Sequence, residues 1–359
     1  MAEREGIDSA SETDRHPATL ILSLVIPAFN EEHRLEAGFA RLRDAIESGE
    51  VPADTTEFIL VDDGSTDATV ARARALFDQL PHVKILQLEK NLGKGAAVRA
   101  GVAAAASPSI LFADADMAID PSQTPQFIEA LSVADLAIGS RAASGASVDR
   151  PSISRSLMNR IFNRIVNTVT RVSLDDTQCG FKAFRAPAAK LLFHCTATER
   201  MAFDVEVLLL ARRLGLTINQ VPVHWLRVKG SHVRSWSDSV SMVHDVLGVR
   251  RSADKVAPLP GALVKLPAPS SDDSDESHPG YWYLKSLSST LPVIGQGNGT
   301  YLVLLPLMDE ADVKGLLKEM ELKLEGVVPE RTMVTEARLR AMAPLALSWD
   351  DTAARPRCA

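Results

Sequence analysis

Five short apolar runs, each cut off by polar or acidic residues and followed by helical spacing, constrain this chain more than any other feature. Leu20–Ile26 is nearly continuous in apolar residues, as a parallel strand covered on both faces requires. It stops at Pro27-Ala28-Phe29-Asn30-Glu31-Glu32, after which Leu35, Phe39, Leu42 and Ile46 recur at helical intervals. Phe58–Val61 runs into Asp62-Asp63-Gly64-Ser65-Thr66-Asp67 and then a helix from Ala68 to Leu80. Val83–Leu88 leads through Lys90-Asn91-Leu92-Gly93-Lys94-Gly95 into an alanine-rich helix over Ala96–Ala106. Leu111-Phe112-Ala113 ends on Asp114-Ala115-Asp116, and Asp120-Pro121-Ser122 starts the next helix with proline at its first position. A helix around Thr124–Leu131 and a strand at Leu136–Ile138 complete the series. Such alternation predicts an α/β fold with a doubly wound, mostly parallel sheet. Ligands of these sheets bind beyond the carboxyl ends of the strands, where the polar groups accumulate here.

The formal net charge of −7 speaks against broad nucleic-acid binding. Cys179, Cys195 and Cys358 have no metal-ligand spacing, which suits reduced thiols in a cytosolic protein. No window approaches the roughly 18 consecutive apolar residues of a membrane span. Met1–His16 is polar throughout, which is not the pattern of a signal peptide, and residues 1–19 are expected to form a flexible tail. The 359 residues suggest two or three domains.

Between Ser140 and Leu174 six arginines accumulate, at 141, 150, 155, 160, 164 and 171, against the single acid Asp149. Ile153, Leu157, Ile161, Ile165, Val169 and Val172 fall on one helical face, so this segment is either a basic interfacial helix or a packed helix with solvated arginines. Asp175–Lys182 reads as a polar turn, Phe203–Leu214 as a helix, Thr217–Val223 as a strand, Trp225–Arg234 as a basic loop and Ser237–Arg250 as a closing helix. Residues 253–280 are rich in Pro, Ser and Asp, a linker composition. Beyond it, Tyr301–Leu307 and Glu310–Leu324 suggest a small αβ region over 281–359 without a chemical motif.

Asp114 and Asp116 are two hard oxygen ligands at i and i+2, suited to Mg²⁺ or Mn²⁺ carrying substrate phosphates; two solvated loop aspartates would look the same. Asp62-Asp63-Gly64-Ser65 can accept hydrogen bonds from a base or ribose, or can simply cap a βα turn. Gly93-Lys94-Gly95 puts a cation near a helix N-terminus, where phosphate binds, but lacks the remaining residues of a Walker loop.

Taken in order, Pro27-Ala-Phe-Asn-Glu31, Val61–Asp67, Asn91–Gly95 and Asp114-Ala-Asp116 resemble the family 2 inverting glycosyltransferases of the GT-A fold. Gly139-Ser140-Arg141, Asp176–Lys182 and the Trp225…Gly230-Ser231 loop are similar to the dolichyl-phosphate β-glucosyltransferase branch, close to the polyprenyl-phosphate mannosyltransferases. The similarity spans Leu22–Arg251, so residues 20–252 form the expected glycosyltransferase domain. It implies that Pro27, Ala28, Phe29, Asn30, Glu31, Val61, Asp63 and Lys94 hold the nucleotide-sugar. Asp114, Ala115 and Asp116 would flank its diphosphate, with Asp116 the principal metal ligand. Arg141, Arg155, Gln178 and a basic residue near Arg227 would hold an acceptor phosphate. Two positions depart from the pattern: Ala118 stands where mannosyltransferase relatives place a glutamine metal ligand, and Phe29 replaces a tyrosine.

The implied partners are a nucleotide-sugar, UDP-glucose or alternatively GDP-mannose, and a polyprenyl phosphate reached from the cytoplasmic membrane surface, with or without a membrane-protein partner. A phosphate acceptor needs no strong base, since its second pKa is about 6. A glycan hydroxyl would need one, and Asp176 is then the candidate. A nucleotide-sugar-binding module without catalysis is the remaining alternative.

Overall fold

The computed structural model describes residues 19–149, 153–170, 172–226, 228, 259–265, 283–284, 286–297, 300–306, 308, 310–324 and 329–334. The first tail, Arg227 and the helix expected over Ser237–Arg250 lie outside the described residues. For Arg155 only the helical backbone is described.

The strands are β1 (Leu22–Ala28), β2 (Thr56–Asp62), β3 (Val83–Gln87), β4 (Ser109–Ala113), β5 (Leu136–Ser140), β6 (Ser147–Val148), β7 (Phe181–Arg185), β8 (Ile218–Pro222) and β9 (His224–Trp225). Seven of them form one sheet in the order β3-β2-β1-β4-β7-β5-β8. All its pairings are parallel except those that β7 makes with β4 and β5. The helices are α1 (Leu35–Glu47), α2 (Thr69–Phe77), α3 (Lys94–Ala104), α4 (Thr124–Ala130), α5 (Ile153–Thr170), α6 (Ala186–Cys195) and α7 (Phe203–Arg213).

Every residue of β1 and β2 is buried, which explains why their sequences run apolar without alternation. Their side chains nonetheless divide between two cores by parity. Val25, Ile59, Val61, Ile110 and Phe112 pack with α3, α6 and α7 residues on one face. Leu24, Ile26, Phe58, Leu60 and Leu111 pack with α1, α2 and α4 residues on the other.

Three segments differ from the sequence expectation. The Asp175–Lys182 turn continues into β7, which inserts antiparallel at the middle of the sheet, and then into α6; neither element carries a simple apolar pattern. Lys182 interrupts β7 yet has no exposed surface, because its ammonium donates to Cys179 O and Asp204 Oδ1, both at 2.6 Å. On α5 the packed residues are Phe162 and Val166, while Ile161 is 53% exposed between exposed Arg160 and Arg164. Among the described side chains, Ile161 thus differs from the inward face expected, while Ile165 is half-buried. Finally, β10 (Leu259–Lys265) lies inside the stretch read as a linker.

β10 pairs in an antiparallel sheet with β11 (Val293–Gly297), β12 (Thr300–Leu304) and β13 (Glu330–Val334), in the order β11-β12-β10-β13. Helical residues precede β11, and α8 (Glu310–Lys323) precedes β13. The region is thus a split βαββαβ unit. Tyr301, Val303 and Leu305 pack with Val313 and Met320 of α8, whereas Leu302 and Leu304 join the core cluster of the large sheet.

Candidate active site

Because β1, β2 and β4 run parallel, their carboxyl ends bring Phe29–Glu32, Asp62–Asp67 and Asp114–Asp116 to one edge. The first two loops are laced together. Asn30 N–H donates to Ser65 Oγ, Thr66 N–H to Asn30 Oδ1 (both 2.9 Å) and Glu31 N–H to Thr69 Oγ1 (2.7 Å). Asn30 sits at φ +51°, a left-handed conformation that asparagine tolerates better than most residues. Phe29 is left 40% exposed beside this lacing, an open ring face at the donor edge.

Asp63 is 3% exposed, and its two oxygens accept from Leu92 N–H and Gly93 N–H at 2.8 Å. Burial raises its pKa, against the pull of those two N–H groups. It thus anchors the Asn91–Gly95 loop. Val61 has no exposed surface and its side chain packs in the core. Pro27 and Ala28 are likewise buried strand residues that shape the edge through their backbone. The glycines of the Lys94 loop answer to packing as well: a Cβ on Gly95 would meet Thr198 O at 2.7 Å and Glu199 O at 2.8 Å.

Lys94 itself turns away from solvent, with its Nζ 2.5 Å from Asp114 Oδ1 and 5.9 Å from the ring centres of both Phe112 and Phe203. Burial pulls its pKa down, but Asp114 and Asp204 pull harder and leave it raised. Asp116 Oδ1 accepts from Ala118 N–H at 3.2 Å, and Oδ2 lies 3.5 Å from Arg34 Nη1. Arg41 holds the backbone of the same turn, donating to Asp116 O at 2.8 Å and Met117 O at 3.2 Å. Burial and the neighbouring Asp114 charge raise the pKa of Asp116. Glu31, ion-paired with Arg34, is pushed up to about 7, chiefly by burial.

Two neighbouring carboxylates, each met by one cation, fit a divalent ion. They supply hard oxygens and leave other positions to water and diphosphate oxygens. Among the described residues no His, Cys, Asp or Glu cluster of three is present.

Asp114 also lines a small cavity of about 60 Å³ shared with Met117, Ala118, Arg141, Gln178, Gly180 and Trp225. A Cβ on Gly180 would displace the Asp114 carboxylate from its present position. Arg141 grips Asp176 bidentately, Nε to Oδ2 at 2.6 Å and Nη2 to Oδ1 at 3.0 Å, with its backbone N–H adding a third bond at 3.1 Å. Burial pushes the Asp176 pKa up, but Arg141 outweighs it and holds the carboxyl below its ordinary range. A carboxylate held so low is a weak base. The three bonds from Arg141 place Asp176 to orient that guanidinium. Accordingly, Asp176→Asn is expected to raise acceptor KM about tenfold while kcat falls less than tenfold, checked by initial-rate kinetics; a base would lose about 10²–10⁴-fold in kcat.

Several contributors escape motif reading. Asn163 of α5 donates to Leu174 O and Asp175 O at 2.8 Å and accepts from Thr177, so it holds the turn that carries Asp176. Arg34 and Arg41 come from α1 and its leading turn; their only sequence signal is basic residues on a helix that follows an acidic strand end. Ala118 O accepts from Leu226 N–H at 2.7 Å, and Ile119 bridges to Trp225, which closes the cavity wall.

A nucleotide-edge sheet with a carboxylate pair beside an arginine-lined cavity defines a group-transfer enzyme working on a diphosphate-activated donor. The glycosyl transferase family 2 model matches residues 23–193, and the chain belongs to the family 2 glycosyltransferases. It is 32% identical over 262 residues to a dolichyl-phosphate beta-glucosyltransferase of Dictyostelium discoideum, covering 69% of this chain and 79% of the relative. A Drosophila melanogaster protein of the same name is 36% identical over 244 residues, covering 64% and 74%. In fold, the chain is similar to glucosyl-3-phosphoglycerate synthase of Mycobacterium tuberculosis crystallised with Mn²⁺, UDP and phosphoglyceric acid. That likeness has a TM-score of 0.50 at 19% identity and covers 83% of this chain and 91% of the other.

Proposed function

We propose that this chain is an inverting glucosyltransferase that moves glucose from a nucleotide-sugar, UDP-glucose, to a dolichyl-type polyprenyl phosphate at the cytoplasmic face of a membrane. The observation that carries the reading is a cavity whose lining includes both Asp114 and Arg141, a carboxylate suited to the metal of a departing diphosphate and a guanidinium suited to an anionic acceptor. The relatives named above, dolichyl-phosphate beta-glucosyltransferases at 32–36% identity, favour glucose and this acceptor class.

Asp114 and Asp116 would hold Mg²⁺ or Mn²⁺, which when bound offsets charge developing on the leaving diphosphate. Glu31, Phe29 and Asn30 border the donor edge. Arg141, oriented by Asp176, positions an acceptor phosphate whose oxygen is already anionic at neutral pH. Attack from the face opposite the leaving group turns an α-linked donor into a β-linked product. Arg155, Gln178 and Arg227 complete the proposed acceptor side.

The test is incubation of purified protein with radiolabelled UDP-glucose, polyprenyl phosphate and Mg²⁺ or Mn²⁺, followed by lipid extraction. A labelled lipid supports the reading; no product from UDP-glucose or from GDP-mannose overturns it.

Among the described residues no helix is long and apolar enough to cross a membrane. Surface binding through α5 is proposed instead, with Ile161 between Arg160 and Arg164. Each basic residue near an anionic surface contributes about 1 kcal/mol. The double change Arg160→Gln, Arg164→Gln is therefore expected to weaken sedimentation with anionic vesicles about thirtyfold. Added salt should reduce wild-type binding in the same assay.

A further inference from the structure

Arg34 ends the loop after β1, and its side chain is only 14% exposed. One Nη pairs with Glu31 Oε1, while the other lies 3.5 Å from Asp116 Oδ2, a charge contact longer than an ordinary N–H···O bond. Two buried atoms in this group have no hydrogen-bond partner, Arg34 Nε and Glu31 Oε2. The surroundings of both side chains have other supports. The backbone N–H groups of Arg34 and Leu35 already close the loop on Glu31 O at 2.9 Å, and Arg41 already holds the Asp116 turn. Lys94, the cation facing Asp114, is by contrast seated against two rings and hydrogen-bonded. One carboxylate thus has a fixed cation, and the other has a loosely placed cation with a second carboxylate at its side.

From this geometry we infer that Arg34 is a displaceable counter-cation of Asp116: it neutralises Asp116 before a divalent ion binds and withdraws onto Glu31 when one takes the Asp116 oxygen. The inference rests on the reading of Asp114 and Asp116 as metal carboxylates. A guanidinium close to the ligand oxygen opposes an arriving dication, and the opposition is strong in a partly buried site. Bare-metal affinity is then set by a contest between the ion and Arg34, and Glu31 determines how easily Arg34 yields.

The test is titration of the full chain with Mn²⁺ alone, without nucleotide, following free Mn²⁺ by electron paramagnetic resonance. Arg34→Gln should tighten bare Mn²⁺ binding about tenfold, equivalent to about 1.4 kcal/mol. Glu31→Gln removes the side partner, leaves Arg34 to Asp116, and should weaken Mn²⁺ binding severalfold. Arg34→Lys, which keeps the charge, should stay near wild type. These opposite signs separate the inference from loss of structure, which would weaken binding in every variant. Unchanged or weaker binding in Arg34→Gln, or tighter binding in Glu31→Gln, overturns it. If Arg34→Gln does not fold, the sign of Glu31→Gln decides alone, and no change there overturns the inference. Asp116→Asn separates the two levels: Mn²⁺ binding that survives it overturns the metal reading itself.

Discussion

Asp116→Ala is expected to lower kcat by about three orders of magnitude with the fold intact. Of the pair Asp114 and Asp116, Asp114 already shares an oxygen with Lys94 at 2.5 Å, so Asp116 offers the less committed charge. Its position is also the better defined, with the backbone fixed by Arg41 and the carboxylate by Ala118 N–H. Losing one preorganised electrostatic element typically costs about 10²–10³ in kcat. A metal that offsets leaving-group charge contributes several kcal/mol more. Single-turnover rates at saturating Mn²⁺ and donor, with circular dichroism as the folding control, would measure the effect. A kcat within a few-fold of wild type would refute the metal assignment. Asp116→Asn should fall nearly as far, because it keeps the shape and loses the charge.

The largest effect on stability is expected from Asp204→Ala. Lys182 has no exposed surface, Asp204 is 3% exposed, and the two meet at 2.6 Å beneath the Phe112 ring, 5.4 Å from Lys182 Nζ. Removing the carboxylate leaves a buried ammonium with Cys179 O as its remaining acceptor. Stranding one partner of a buried pair costs about 3–5 kcal/mol. For a domain of this size that corresponds to a Tm lower by roughly 10 °C. Urea denaturation would give the same loss as a fall in midpoint. The double change Lys182→Met, Asp204→Leu should recover most of it, since apolar replacements of both partners are often neutral or better. A single Asp204→Ala variant as stable as wild type would show that Lys182 finds another anion or leaves the core.

Much of the sheet is legible in the chain because β1, β2 and β4 are buried on both faces and so run apolar until they end. The carboxyl-edge residues follow at once: Asp62, Asp63, Asp114 and Asp116 are where the apolar runs stop. β7 is not legible in this way. Its Lys182 is tolerated only because Asp204, 22 residues later, meets it in the core. β10 hides in a Pro- and Ser-rich context for a similar reason, since its partners β12 and β13 lie far along the chain.

The same distinction divides the active site. Residue order alone announces acids and a lysine at the ends of parallel strands, arginines beyond them, and the chemistry of a phosphate-bearing donor. Local periodicity and charge are enough for that, because they act over a few neighbouring residues. Which charge answers which is a matter of three-dimensional placement. Lys94 goes to Asp114, Arg34 to Asp116 and Glu31, and Arg141 to Asp176, 35 residues away. Coulomb attraction and hydrogen bonding act through space and depend on burial, so the chain's linear order does not specify them. That placement seats Arg141 on Asp176, Val61 in the core, and Arg34 between Asp116 and Glu31.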